Sequence, residues 1–279
     1  MIEPYLPVNR LLLALPHKIR QRFITDCEAV DLAFAEILTE PGERIDHVYF
    51  PTESFIALTK PIDKRGNLEV GFIGDEGMLG ISLLLGVSIS PLQAVVLGEG
   101  PALRMDTNQF RRKLTDIPAL QTVLQRYLYV ITEQLAQTAV CCRFHVVDER
   151  LARWLLMTHD RAHSDTFHIT HEFLASMLGV RRVGITKAAS ALQNRELICY
   201  SRGNIRILDR AGLEAAACEC YASDHAIYTR TMEVKTDLRP MPLHQPPLLD
   251  QPIGNEQCDT AKRKKSEQFP DITAGSSPL

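Results

Sequence analysis

Long apolar runs are missing from this 279-residue chain. Its best candidates, 11–15 and 81–89, fall well short of the roughly 18 residues that a membrane span requires, so no membrane partner is expected. The first residues offer Glu3, Pro4 and Pro7 rather than a basic start and an apolar stretch, and no signal peptide is expected. Paired cysteine spacing is missing too: the seven cysteines are an odd number without a repeating interval. That usage suits reduced thiols and a bacterial cytoplasm rather than a disulfide framework. Nor is there a phosphate-cradling GxxxxGK[ST] loop, an HExxH zinc motif or a nucleophile–base constellation, so catalysis has no visible home and the chain is not expected to be an enzyme. What remains is an ordinary soluble composition, 45% hydrophobic and 23% charged, with length for two modest domains.

The most informative stretch is ITHEFLASMLGVRRVGITKAASALQNRELI at 169–198. A first short helix over 171–178 places Leu174, Met177 and Leu178 on one face, and Thr170 stands where an N-cap belongs. A turn at Gly179-Val180 leads to a second helix over 181–194, with Ile185, Ala188, Ala189 and Leu192 inward. At about 100° per residue, Val183, Lys187, Ser190 and Asn194 then point outward, and Arg182 lies at the flank of that face. Two amphipathic helices about a glycine can be an ordinary three-helix core. They also have the shape of a motif that enters a DNA major groove.

The following residues favour DNA. Cys199-Tyr200, Ser201-Arg202-Gly203-Asn204 and Ile205-Arg206-Ile207-Leu208 predict a β-hairpin about a Gly203-Asn204 turn, with Arg202 at its tip. A hairpin directly after a helix-turn-helix makes a winged helix. Between 168 and 210 there are seven Lys/Arg and three acids, a net +4 inside a chain of net −3, which leaves −7 for the rest. Positive charge gathered on one module is an electrostatic footprint of nucleic-acid binding.

These residues, with VDERLARWLL at 147–156 before them, resemble the C-terminal winged helix of the Crp/Fnr family, bacterial transcription regulators related to the cyclic-AMP receptor protein. A looser resemblance runs from about residue 9 to 221. It implies an α+β chain: an N-terminal antiparallel β-roll of the cyclic-nucleotide-binding type (1–117), a long central dimerisation helix (118–145) and a C-terminal winged helix-turn-helix (146–222). The family's recognition helix opens with a small polar residue, Arg and Glu, then a second Arg five positions after the first. Here Arg181, Arg182, Val183 and Lys187 stand at those places. The acid is lost, and Val183 can offer only apolar contact, for instance to a thymine methyl. Base reading is assigned to Arg182, Val183 and Lys187, and backbone contacts to Thr170, His171, Arg181, Thr186, Ser190, Arg202 and Asn204.

The residue pattern agrees with that architecture. After a helix expected over 9–27, short β-like runs at 30–38, 48–50, 55–58, 68–73 and 102–105 are punctuated by turn residues and indicate a sandwich or barrel. A helix over 118–142 carries Leu120, Leu124, Tyr127, Ile131, Leu135 and Thr138 at three- and four-residue steps. That stripe is expected to serve both the roll and a second copy of the chain, because a two-fold operator calls for a two-fold protein. Beyond 223 the chain is rich in proline, with a basic patch Lys262-Arg263-Lys264-Lys265, and is expected to be a disordered tail.

The effector region is placed at Gly77, Met78, Leu79 and Gly80 and at Leu92-Gln93. In nucleotide-binding members a Gly-Glu-Leu turn and a later Arg-Ser-Ala hold the ribose and phosphate. Here Met78 replaces the Glu and Leu92-Gln93 replace Arg-Ser, so cyclic AMP is not expected to be the effector. Oxygen-sensing relatives hold an iron–sulfur cluster on N-terminal cysteines; only Cys27 lies before residue 141, so none is expected there. Cys141-Cys142 with His145, Cys218-x-Cys220, and the histidines 159, 163, 168 and 171 are read as core or solvated residues, and no metal or other cofactor is expected. The expected partners are double-stranded DNA, a second copy and, for an activator, RNA polymerase. The alternatives are a winged-helix protein-interaction module and a metal- or redox-sensing regulator; effector, operator and direction of control stay open.

Overall fold

The computed structural model describes residues 8–62, 66–162 and 164–233. Two antiparallel sheets form the N-terminal roll. One has the order β1 (Glu28–Leu32), β7 (Gly100–Asp106), β3 (His47–Pro51). The other runs β2 (Ile37–Thr39), β6 (Gln93–Gly98), β4 (Phe55–Pro61), β5 (Asn67–Ile73). Alternation turns Leu32, Tyr49, Ile56, Ile73, Ala94, Val96 and Ala102 into one buried cluster between the sheets. The apolar run at 81–89 becomes a 3-10 turn, Ile81–Leu85, flanked by Gly80 and Gly86 at φ of +97° and +77°.

Helices close the roll. The single helix expected over 9–27 is two, α1 (Arg10–Leu13) and α2 (His17–Thr25), interrupted at Pro16, which precedes α2 with extended backbone. Asn9 is fully buried: its Oδ1 caps Leu12 N–H, while its amide donates to the carbonyls of Pro51 at 2.8 Å and Gly77 at 2.9 Å. A helix absent from the sequence reading, α3 (Thr107–Asp116), starts where the Asp106 carboxylate accepts from the N–H groups of Asn108 and Gln109.

α4 (Pro118–Phe144) follows, 27 residues and about 40 Å long, with proline in its first turn. Leu120, Leu124 and Tyr127 do not face outward. They are buried with Leu11, Phe23, Phe50, Met78 and Phe110 in the core beneath the roll. This corrects the expectation that they join two copies of the chain, since a side chain enclosed by its own domain has no surface for a partner. Ile131 and Thr138 are half-buried, and only Leu135 of that stripe is exposed, at 42%.

The C-terminal part holds α5 (Val147–Ala162), β8 (Thr166–His168), α6 (His171–Met177), α7 (Arg182–Asn194), β9 (Ile198–Ser201), β10 (Asn204–Ile207), α8 (Arg210–Ala216) and α9 (Cys220–Met232). The wing has three strands in the order β8-β10-β9. Its two-residue turn is Arg202-Gly203, at φ of +51° and +85°, whereas the sequence pointed to Gly203-Asn204. Both turn residues have positive φ, the conformation that matches the twist of paired strands, and Asn204 is thereby left inside β10. Leu151, Trp154, Leu155, Leu174, Ile185, Leu192, Ile198, Ile205 and Leu213 form the core of this part, which is continuous with Phe55, Ala57 and Phe72 of the roll. The Phe72 and Trp154 rings meet edge-on, 5.7 Å apart.

The tail expected from 223 is not found over the first ten of its residues, because α9 runs to Met232 with Asp224 and Ile227 buried and packs along α4; residues 234–279 lie outside the described residues. The basic patch at 262–265 lies outside the described residues. Buried Arg153 of α5 pairs with Asp224 at 2.7 Å. Asp160 accepts from Arg210 Nη2 at 2.7 Å, Tyr221 Oη at 2.9 Å and His225 Nε2 at 3.0 Å. Burial alone would raise the Asp160 carboxyl, but those donors hold it well below the usual carboxylate range. The folded carboxylate therefore adds stability above pH about 4 that is lost as the pH falls below it. Asp160→Asn is expected to cost about 1.5–3 kcal/mol at pH 7 and progressively less in acid, as measured by urea denaturation at several pH values.

Candidate nucleic-acid interface and sensor cavity

The surface expected to read DNA is built by α7. Ile185, Ala188, Ala189 and Leu192 are buried, as their spacing requires, so the opposite residues Thr186, Lys187, Ser190 and Asn194 are exposed, and Val183 is 60% exposed. Arg182 stands at the first helical position, and its guanidinium lies 3.7 Å from Glu172 with both side chains largely in solvent. An exposed pair of this kind is worth little, so the guanidinium can turn to another anion at small cost. Arg181 is the N-cap residue, and its side chain makes no cap bond. The entry to α7 thus presents backbone N–H groups and the positive end of the helix dipole, beside two guanidinium groups.

The backbone-contact residues divide. Thr170 Oγ1 accepts from Phe173 N–H as the cap of α6, and its hydroxyl proton remains available. Thr186 donates to the Arg182 carbonyl at 3.1 Å, so its oxygen accepts from His171 Nδ1 at 3.2 Å. The His171 ring lies flat on Tyr200, 4.1 Å between centroids, with Nε2 buried and unpartnered. Burial, with Arg182 nearby, lowers its pKa, so the imidazole is neutral at pH 7. His171 therefore braces α6 and α7 against the wing and does not offer a ring nitrogen to phosphate. Arg202 is exposed at the wing tip, whereas Asn204 is held by His168 Nδ1 at 2.9 Å in the neighbouring strand. Arg206 of β10 and Arg195 after α7 add exposed cations to this side. Arg210 is withdrawn from it by Asp160 and Glu214.

Residues 149–216 match the Crp-like helix-turn-helix domain. The chain carries a Crp-like helix-turn-helix domain. No curated protein matches the chain. Among solved structures, it resembles a putative transcriptional regulator of the Crp/Fnr family from Eubacterium rectale at 17% identity and TM-score 0.60, over 77% of this chain and 99% of that one. FixK2 from Bradyrhizobium japonicum superposes with TM-score 0.58 at 13% identity, over 69% of this chain and 98% of the other. A CRP/FNR-family regulator from Thermus thermophilus does so with 0.58 at 20% identity, over 68% and 98%. At such identities the likeness is one of fold, and side-chain roles rest on the geometry.

The effector region separates into cavity lining and scaffold. A cavity of about 130 Å³ lies between β5, the 3-10 turn and α4, lined by Leu58, Phe72, Ile73, Met78, Leu79, Gly80, Leu92, Ile131 and Leu135 among others. Its polar side chains are Thr39, Ser82, Ser90 and Gln134; no cation is among the described lining residues. Gln93 points elsewhere. Its amide donates to Glu40 at 3.0 Å and accepts from Thr59 at 3.1 Å and Asn67 at 2.9 Å, so it knits the sheet. Gly77 makes room for Tyr127, whose hydroxyl oxygen accepts Met78 N–H at 3.2 Å and would lie 2.0 Å from an added Cβ.

A second cluster was not legible in the sequence. Cys141 and His145, one turn apart at the end of α4, meet Cys218 and Cys220 at the start of α9, with all four candidate ligand atoms within 4.8 Å of one another. The Cys218 thiol draws the Cys141 thiol down by hydrogen bonding, against burial, and His145 adds to this. Cys142 is exposed and takes no part. The i, i+4 spacing of Cys141 and His145 was the available signal; the other half is more than 70 residues away. The histidines considered for a metal do not converge: His159 bonds Asp165, His168 bonds Asn204, His171 bonds Thr186, and residue 163 lies outside the described residues.

Gly77→Ala is expected to lower stability by about 1–3 kcal/mol, because Tyr127 must give way in a filled core, and Tyr127→Phe in the same chain should recover part of that loss. Thermal denaturation of the two variants provides the comparison.

Proposed function

We propose that this chain is a sequence-specific DNA-binding transcription regulator that acts as a homodimer on two-fold operators. The observation that carries the reading is α7: its apolar side is consumed by the module's core, and its outer side presents Arg182, Val183, Lys187 and Ser190 together. Arg182, Val183 and Lys187 read base edges. Arg181, Thr186, Ser190 and the Thr170 hydroxyl position the helix on phosphates, and Arg202 with Asn204 brings the wing to the flanking backbone. Val183, in the place of the family's acid, selects an apolar edge over a cytosine amino group.

The dimer seam is shifted by about one residue from the stripe expected at first. With 120, 124 and 127 committed to the roll, a row of Leu128, Thr132, Leu135, Ala139 and Cys142 runs along α4 at alternating four- and three-residue steps. All but Leu128 are exposed, and that spacing is the seam of a two-stranded coiled coil. The input reaches this seam through the roll, because Ile131 and Leu135 of α4 also border the aliphatic cavity. Cyclic AMP fits poorly as that input, since its phosphate would meet no guanidinium there.

Selection of bound fragments from random DNA, followed by titration, tests the reading. Arg182→Ala is expected to weaken the selected site by about 1–3 kcal/mol and to relax one base position per half-site. Arg202→Ala should weaken all sequences alike and reduce the salt slope by about one ion. Unchanged operator binding in both variants refutes the docking. Leu135→Glu is expected to turn a sedimenting dimer into a folded monomer with operator affinity lost, whereas Leu124→Ala should destabilise the fold by about 2–5 kcal/mol at unchanged stoichiometry.

A further inference from the structure

We propose that Cys141, His145, Cys218 and Cys220 form a mononuclear metal site for a thiophilic divalent cation of the Zn2+ class. Four potential ligands converge from two helices: Cys141 and His145 from α4, Cys218 and Cys220 from the α8–α9 junction. Two of the spacings are close to those around one ion, and all four atoms lie within 4.8 Å of one another. Zn–S bonds of about 2.3 Å and a Zn–N bond of about 2.0–2.1 Å, arranged tetrahedrally, set ligand atoms about 3.5–3.8 Å apart. Cys141 Sγ and Cys218 Sγ lie 3.6 Å apart, and Cys220 Sγ lies 3.4 Å from His145 Nδ1. An iron–sulfur cube would hold its four ligands farther apart, around four metals instead of one. Three thiols and an imidazole are a donor set that selects zinc over magnesium or calcium.

The surroundings suit such a centre. Cys141, Cys218 and Cys220 are buried, and His145 is half-buried. Gln137 Nε2 donates to Cys220 Sγ at 2.9 Å, an outer contact that orients and stabilises a thiolate ligand. Arg153 lies close enough to Cys141 to offset part of the excess negative charge of three thiolates on a divalent ion. On binding, each ligating thiol releases its proton to solvent. Cys218 and Cys220 lie beyond the matched module at 149–216, so the ion would tie the chain that follows the winged helix back onto the central helix.

The full-length chain, purified under reductant and stripped with a chelator, is titrated with Co2+ and then Zn2+. One equivalent of Co2+ per chain should give the thiolate-to-cobalt charge-transfer bands of a three-sulfur tetrahedral site, and Zn2+ should erase them. The Cys141→Ser, Cys218→Ser double variant should lose the bands, while Cys199→Ser, altered at an exposed wing cysteine outside the cluster, should retain them. A wild-type chain that takes up neither ion overturns the proposal, as does a double variant with an unchanged cobalt spectrum. A Cys141–Cys218 disulfide persisting in the reduced, Zn2+-supplied chain overturns it as well. Should the double variant fail to fold, the wild-type titration decides alone, because the charge-transfer intensity at one equivalent counts the thiolates on the ion, and an intensity short of three overturns the proposal.

Discussion

The partition of α4 among several neighbours constrains everything else in this molecule. A helix has one circumference, and 27 residues divide it into strips. Leu120, Val123, Leu124 and Tyr127 are buried in the roll. Farther along, Gln137 and Cys141 meet the start of α9. The remaining strip, with Leu128, Thr132, Leu135 and Ala139, is what stays available to a second chain. Roll, cavity and α9 therefore share one helix with the strip that the proposed dimer would use.

The winged helix rests on a different principle, separation of faces. Small residues Ala188 and Ala189 let α7 lie close to α5, and the burial of Ile185 and Leu192 orients the helix with little freedom to rotate. Arg182 and Lys187 owe their exposure to those apolar contacts on the far side. The cap is consistent with this use: Thr170 satisfies the entry of α6, whereas α7 enters without a side-chain acceptor. His171 and Tyr200 then stack to hold the wing against the two helices.

Periodic segments were legible and shared surfaces were not. The two helices about Gly179, two of the wing's three strands and five of the roll's strands followed from spacing and turn residues, whereas β8 did not. α3 escaped notice because it is short and polar overall, with only Thr107, Phe110 and Leu114 turned inward, and its start depends on the Asp106 cap. Pro16 divided an otherwise continuous helical pattern. At the wing, Gly203-Asn204 looked like the better turn, but pairing of Asn204 with both Ser201 and His168 moved the turn back by one residue.

From residue order alone came the strand-rich N-terminal part, the helix-turn-helix and the direction in which Arg182 and Lys187 point. Each depends on local periodicity or on the chemistry of a single side chain, which short-range sequence carries. Tertiary structure decided which strip of α4 is free, that Gly77 serves Tyr127, that His171 is a brace, and that Cys141 and His145 meet Cys218 and Cys220. These are juxtapositions of residues tens of positions apart, and only the packing of helix on sheet and helix on helix brings such residues within reach of one another.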